Sequence, residues 1–205
     1  MKLLLMLCAL ALTSFAQGTL GLSCRTARRG YTLNCSLALA GGSLPAGLEF
    51  AFTSSIAVGM VTVTPGAQAV AASKSVTCNP SILCLITAIN RNTIADGPVA
   101  LLAIPIPLNA PLGNATFSIT STLGASTAGV SITETANPPL SVVVLPSPCD
   151  TNGDGQLTAE DFTEAVQNVL AVPQIAMDLN TDGETDLLDV QIVINAVLGN
   201  GCAAQ

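Results

Sequence analysis

The stretch DLNTDGETDLLDVQIVINAVL, residues 178–198, sets Asp178, Asn180, Asp182, Asp186 and Asp189 at positions 1, 3, 5, 9 and 12 of one loop and runs straight into an apolar pattern. A second copy, DTNGDGQLTAEDFTEAVQNVL at residues 150–170, begins 28 residues earlier and puts Asp150, Asn152, Asp154, Thr158 and Asp161 in the same places. Alternate side chains of a tight loop point inward, so each copy aims a set of oxygens at one centre, as a hard divalent cation requires. Gly155 and Gly183 hold position 6, where the chain bends sharply, and Gln156 and Glu184 at position 7 supply backbone carbonyls. One such run is compatible with a solvated turn. Two copies, each leading into a helix, predict two calcium ions.

Behind each loop the apolar residues recur at helical spacing: Phe162, Val166, Val169 and Leu170, then Leu187, Val190, Ile194, Val197 and Leu198. These stripes are expected to bury one another, since two helices in so small a module have little else to cover. Pro146 and Pro148 stop a helix from entering the first loop, so each unit is a loop plus its exiting helix. Position 12 is Asp where the longer Glu is usual in such loops, so the following helix has to approach the ion more closely.

Upstream the period changes to two. Tyr31, Leu33, Cys35, Leu37 and Leu39 alternate with small or polar residues, and short runs follow at 48–52, 57–64, 83–90, 99–106, 115–122, 129–133 and 140–145. Gly41-Gly42, Asn79-Pro80, Asp96-Gly97-Pro98 and Asn137-Pro138-Pro139 punctuate them. The expected fold class is mainly β plus small α: an antiparallel β-sandwich over residues 18–145 with no helical stripe, a Pro-rich linker at 146–148, and the two loop-helix repeats at 149–205.

Charge narrows the function. The net charge is -7, all six basic residues precede residue 100, and of thirteen acids only Glu49, Asp96 and Glu134 lie before Pro148, leaving ten between Asp150 and Asp189. Such a segment needs metal ions, a basic partner or strong solvation to stay compact. Arg25, Arg28 and Arg29 form a short cluster that reads as a solvated turn, and nucleic acid is not an expected partner. With no His, the chain has no Ser-His-Asp or Cys-His arrangement. An enzyme is not expected.

Residues 1–16 combine Lys2, an apolar run from Leu3 to Leu12 and Ser14-Phe15-Ala16, which fits a signal peptide cleaved before Gln17. The run is too short to span a bilayer, so the expectation is a secreted protein, free or at the cell surface, without a membrane span. Six cysteines then remain in a compartment where disulfides form. Their spacing suggests Cys24 with Cys35, Cys78 with Cys84 and Cys149 with Cys202, among the fifteen pairings that six cysteines allow.

The loop-helix, loop-helix arrangement from Cys149 to Leu198 resembles the dockerin module. That resemblance implies two pseudo-symmetric calcium loops that fold the module and a helical face that plugs into a cohesin domain on another protein. Its partner positions fall on Ala159, Glu160, Val166, Gln167, Leu187, Leu188, Ile194 and Asn195. The preceding sandwich resembles a cohesin domain in its opening alternating strand, in 48–52 and in the runs 94–106 and 113–119. Together these imply a scaffolding or adaptor protein of a cellulosome-like polysaccharide-degrading assembly, its partners being cohesin- or dockerin-bearing proteins or a second copy of itself. The alternative is a carbohydrate-binding or surface-structural protein tethered through its dockerin. Sugar-binding sandwiches usually present exposed aromatic rings, and aromatics make up 3% of this chain.

Overall fold

The structure is a computed structural model, and residues 17–171 and 177–202 are described. The signal-peptide stretch lies outside them. Two sheets face each other. The first runs β11 (Thr135–Ala136), β1 (Thr19–Cys24), β3 (Thr32–Ala40), β8 (Gly97–Pro105), β5 (Thr62–Pro65). The second runs β2 (Ala27–Arg28), β12 (Leu140–Leu145), β9 (Gly113–Ala125), β4 (Gly47–Ser54), β7 (Leu83–Thr87), β6 (Ser75–Cys78), with β10 (Ser131–Thr133) added beside β9.

The alternating register anticipated from Leu33 onward holds: Leu33, Cys35, Leu37 and Leu39 are buried, and so are Leu48, Phe50 and Phe52 on β4. Phe52 stacks on Phe117 with ring centroids 6.1 Å apart. At about 25 cal/mol per Å² of apolar surface, this two-sided core dominates the stability of the fold.

Three features depart from the expected pattern. A helix, α1 (Ala67–Ala71), interrupts the strands after Gly66 and buries Ala69; one turn carries too little sequence for a 3.6-residue period to show. Strands β1, β2, β6 and β11 were not anticipated, because β1 is Gly-, Ser- and Thr-rich and the others span 2 to 4 residues. Two short bridges, β1 with β11 and β12 with β2, are parallel in an otherwise antiparallel sandwich.

Disulfides join Cys24 to Cys35, Cys78 to Cys84 and Cys149 to Cys202. The first two cross paired strands, at directly opposed positions of β1 with β3 and β6 with β7. The third brackets the helical module, whose helices are α2 (Ala159–Leu170) and α3 (Leu187–Val197).

Ser147 and Cys149 are buried at the start of that module. Tyr31, at the entry to β3, packs against its core and donates its hydroxyl hydrogen bond to the Cys202 carbonyl. The chain between the sandwich and the helices is therefore a packed junction.

Candidate metal centre and docking face

Each loop is built by its own carboxylates and amides. In the first, Asp150 Oδ2 accepts from the Gly155 amide at 2.9 Å, Asn152 Oδ1 from Asp154 at 2.9 Å, and Asp154 Oδ1 from Gln156 at 2.8 Å. In the second, Asp178 Oδ2 accepts from Gly183 at 2.9 Å, Asn180 Oδ1 from Asp182 at 3.0 Å, and Asp182 Oδ1 from Glu184 at 2.9 Å. Positive φ at Gly155 (84°) and Gly183 (93°) makes the bend, a region that L side chains seldom enter.

The last acid of each loop closes it onto its helix. Asp161 accepts from Thr151 at 2.8 Å and from Thr158 at 2.8 Å, and Asp189 accepts from Leu179 at 2.6 Å and from Asp186 at 3.0 Å. Both carboxylates are completely buried. Thr158 and Asp186 cap α2 and α3, accepting from Glu160 at 3.2 Å and Leu188 at 2.7 Å, so position 9 holds the helix start in both repeats.

These residues fit calcium. Asp150 Oδ1 is buried and has no hydrogen-bond partner, and an anionic oxygen left so is costly unless a cation meets it. Among the described residues no three His, Cys, Asp or Glu side chains converge as a metal cluster. The donors here are mixed, carboxylates alternating with Asn amides and backbone carbonyls, which is the set a hard cation takes and a thiophilic metal does not.

Of the arginines read as a solvated turn, Arg25 and Arg28 are exposed and Arg29 is the exception. Arg29 donates from Nε to the Ala110 carbonyl at 2.6 Å, and its guanidinium stands where a Cβ on Gly155 would fall, 2.5 Å from Nη1. Arg28 reaches the Pro146 carbonyl at 3.5 Å. A cation of the sandwich thus lies against the first acidic loop. Gly30, Ile106, Leu108, Leu157, Ala196 and Cys202 line the crevice alongside. Composition carried no sign of this junction beyond the separation of basic and acidic halves.

The docking residues named above divide. Leu187 is 73% exposed and Leu188 58% exposed, and Ala159, Glu160 and Gln167 are also exposed. Val166 and Ile194 are half-buried against the module's own core, and Asn195 accepts from Gln191 at 3.2 Å. The helical stripes need correction as well. Phe162, Leu170, Leu187 and Leu198 face outward, while Asp161, Ala165, Ile192, Val193 and Ala196 are buried. Counting apolar residues overlooked the buried closing aspartates, which turn each helix about its axis.

On the sandwich, β4 pairs with β7 and β9 so that Leu85, Glu49 and Leu123 stand in one row across three strands. Leu85 and Leu123 are each about half exposed, and Leu83 adds a third exposed leucine on the next row.

Residues 148–198 match the family model of the Dockerin type I domain. Among solved structures, the chain is similar to the R. flavefaciens third ScaB cohesin in complex with a group 1 dockerin, at 13% identity and TM-score 0.52 over 63% of this chain and 95% of that one. It is also similar to the third cohesin ScaC of Acetivibrio cellulolyticus in complex with the ScaB dockerin, at 13% identity and TM-score 0.51 over 63% and 99%. At that identity the likeness is one of fold: the sandwich has the cohesin architecture. No curated protein matches the chain. No helix of the described residues is long and apolar enough to cross a membrane.

Proposed function

We propose that the chain is a secreted, calcium-dependent adaptor whose helical module plugs into a cohesin domain and whose sandwich receives a dockerin, within a polysaccharide-degrading assembly. The observation that carries this is the exposed Leu187-Leu188 pair, set at the start of α3 by a loop whose closing carboxylate is fully buried. Two adjacent leucines held in water at the start of a capped helix offer apolar surface that a partner can cover. The dockerin match over 148–198 and the cohesin architecture of the sandwich support the two halves of the reading.

Asp150, Asn152, Asp154, Gln156, Thr158 and Asp161 would hold one ion, and Asp178, Asn180, Asp182, Glu184, Asp186 and Asp189 the other. Calcium supplies positive charge to a segment of ten acids and couples loop closure to folding. The rest is done by protein atoms. Asp161 and Asp189 gather the backbone amides of the loop and orient each helix, and the leucines make the contact. The mechanism is binding.

The sugar-binding alternative lacks a platform on the described sandwich, because Phe50, Phe52 and Phe117 are buried and Tyr31 is turned into the helical module. The deciding experiment immobilises the full chain in calcium and offers purified cohesin domains, insoluble cellulose and a second, soluble copy. Cohesin capture that EDTA releases and L187D/L188D abolishes is the expected result. Retention of cellulose alone would overturn the adaptor reading, and capture of the soluble copy would assign the partner to the chain itself.

A further inference from the structure

A second buried acid lies in the sandwich. Glu134, between β10 and β11, is 3% exposed, and its enclosed carboxylate has the Ser43 hydroxyl and the Gly18 backbone as its polar neighbours, with no basic side chain among them. The Ser43 hydroxyl oxygen beside it is likewise enclosed. A Cβ on Gly18 would collide with both Glu134 Oε2 and Ser43 Oγ, and one on Gly124 would lie 2.8 Å from Glu134 Oε1. The two glycines therefore make the room in which these oxygens meet.

The charged neighbour is another acid. Asp96 sits on the Gly41-Gly42 turn, accepting from both amides at 3.1 Å, and acts on Glu134 through space. Burial pushes the Glu134 carboxyl up, Asp96 adds to that, and the Ser43 hydroxyl and Gly18 backbone offset only part. None of the six basic residues is among the groups acting on it. A buried carboxylate in the field of an exposed one is stabilised by taking up a proton or by meeting a cation.

That cation is available within the chain. Gly18 follows Gln17, the residue at which the chain is expected to begin once the leader is removed. Hydrolysis of the Ala16–Gln17 peptide bond consumes one water and leaves a carboxylate on Ala16 and an α-ammonium on Gln17. Successive backbone nitrogens are separated by at most about 3.6 Å, so the new ammonium is next in the chain to Gly18, the residue whose Cβ would meet Glu134 Oε2.

We infer that the pocket of Glu134 and Ser43, in the field of Asp96, is the receptor for the Gln17 α-ammonium created by leader cleavage, closing the first strand with an ion pair that the precursor does not form. The pocket adjoins the seam it would secure: the Thr135 amide donates to the Gly18 carbonyl at 2.9 Å and the Asn137 amide to Leu20 at 2.8 Å, holding β11 along β1. The pair rests on the export reading and is independent of docking.

The test compares two full-length chains, one starting at Gln17 and one retaining Ser14-Phe15-Ala16, each with and without Glu134→Gln. The Gln17 chain is expected to melt at least about 5 °C above the extended one, and Glu134→Gln to remove the difference. The difference should also fade as pH rises from about 8, the ordinary α-ammonium value, through the higher value that pairing with a carboxylate gives it. That pH profile, with Ser43→Ala, stands in if Glu134→Gln does not fold.

Equal melting of the two chains overturns the pocket. So does a mass showing Gln17 cyclised to its lactam, or calcium raising the extended chain to the level of the Gln17 chain. Sequencing the N-terminus of the chain secreted by its own host reads the cleavage site separately: a start at Gln17 is expected, a start elsewhere overturns the receptor role, and absence of the chain from the medium counts against export alone.

Discussion

Thr181 and Gly153 occupy position 4 of the two loops with φ of 62° and 73°, and only one of them is a glycine. A β-branched residue in that region is strained by about 1–2 kcal/mol relative to glycine. Thr181→Gly is therefore expected to stabilise the second loop and raise its calcium affinity, and Gly153→Thr to do the opposite in the first; calorimetric calcium titration of both variants checks this.

Tyr31, the one tyrosine of the chain, gives a clean optical probe of the junction. Burial pushes its phenol above the ordinary range, and Arg28 pulls back less strongly. The neutral phenol is the form the fold favours, so its contribution is present at neutral pH and is lost as pH rises from about 10 through the raised folded value. Phenolate absorbance should titrate above that of an unfolded control, and Tyr31→Phe, which deletes the hydrogen bond to Cys202, should weaken the junction by about 1 kcal/mol.

At the level of the element, each loop and its helix fold as one unit because a single carboxylate serves both. Asp189 accepts backbone amides from residues 179, 180 and 186, at the start of the loop and at the helix cap. Asp189→Ala leaves three donors without an acceptor, and at about 1 kcal/mol or more each the module should lose about 3–5 kcal/mol even in saturating calcium. Asp189→Asn, which keeps one acceptor, should lose less. Urea unfolding followed by helical circular dichroism measures both.

The loop residues were legible in the sequence because each side chain has a position fixed by a twelve-residue turn. The facing of the helices was not, since reading them by apolar count placed Phe162 and Leu187 inward, where Asp161 and Asp189 sit. The sandwich was legible where alternation ran nine residues in β3, and illegible where pairing rests on two, as in β2 and β11.

Across the whole molecule, the basic residues and the acidic module meet at Arg29 and Gly155, while Tyr31 inserts into the module beside Cys202. The Cys149–Cys202 bridge, spanning 53 residues of sequence, limits the unfolded module by about 4 kcal/mol in chain entropy. The sandwich has its own core and two disulfides.

Chelation should therefore act unevenly. EDTA is expected to melt α2 and α3 and expose Tyr31, leaving amide protection in β3, β4 and β9 as it was. Arg29→Ala has opposite effects in the two states. Without calcium it leaves the first loop's acids with less counter-charge and lowers the module's residual stability; with calcium it removes a like charge beside the ion, so affinity at the first site should rise. Hydrogen exchange with and without EDTA, in the wild type and in Arg29→Ala, reads both. Loss of sandwich protection on chelation would show the two parts to be one cooperative unit, with the Tyr31 junction stronger than either core requires.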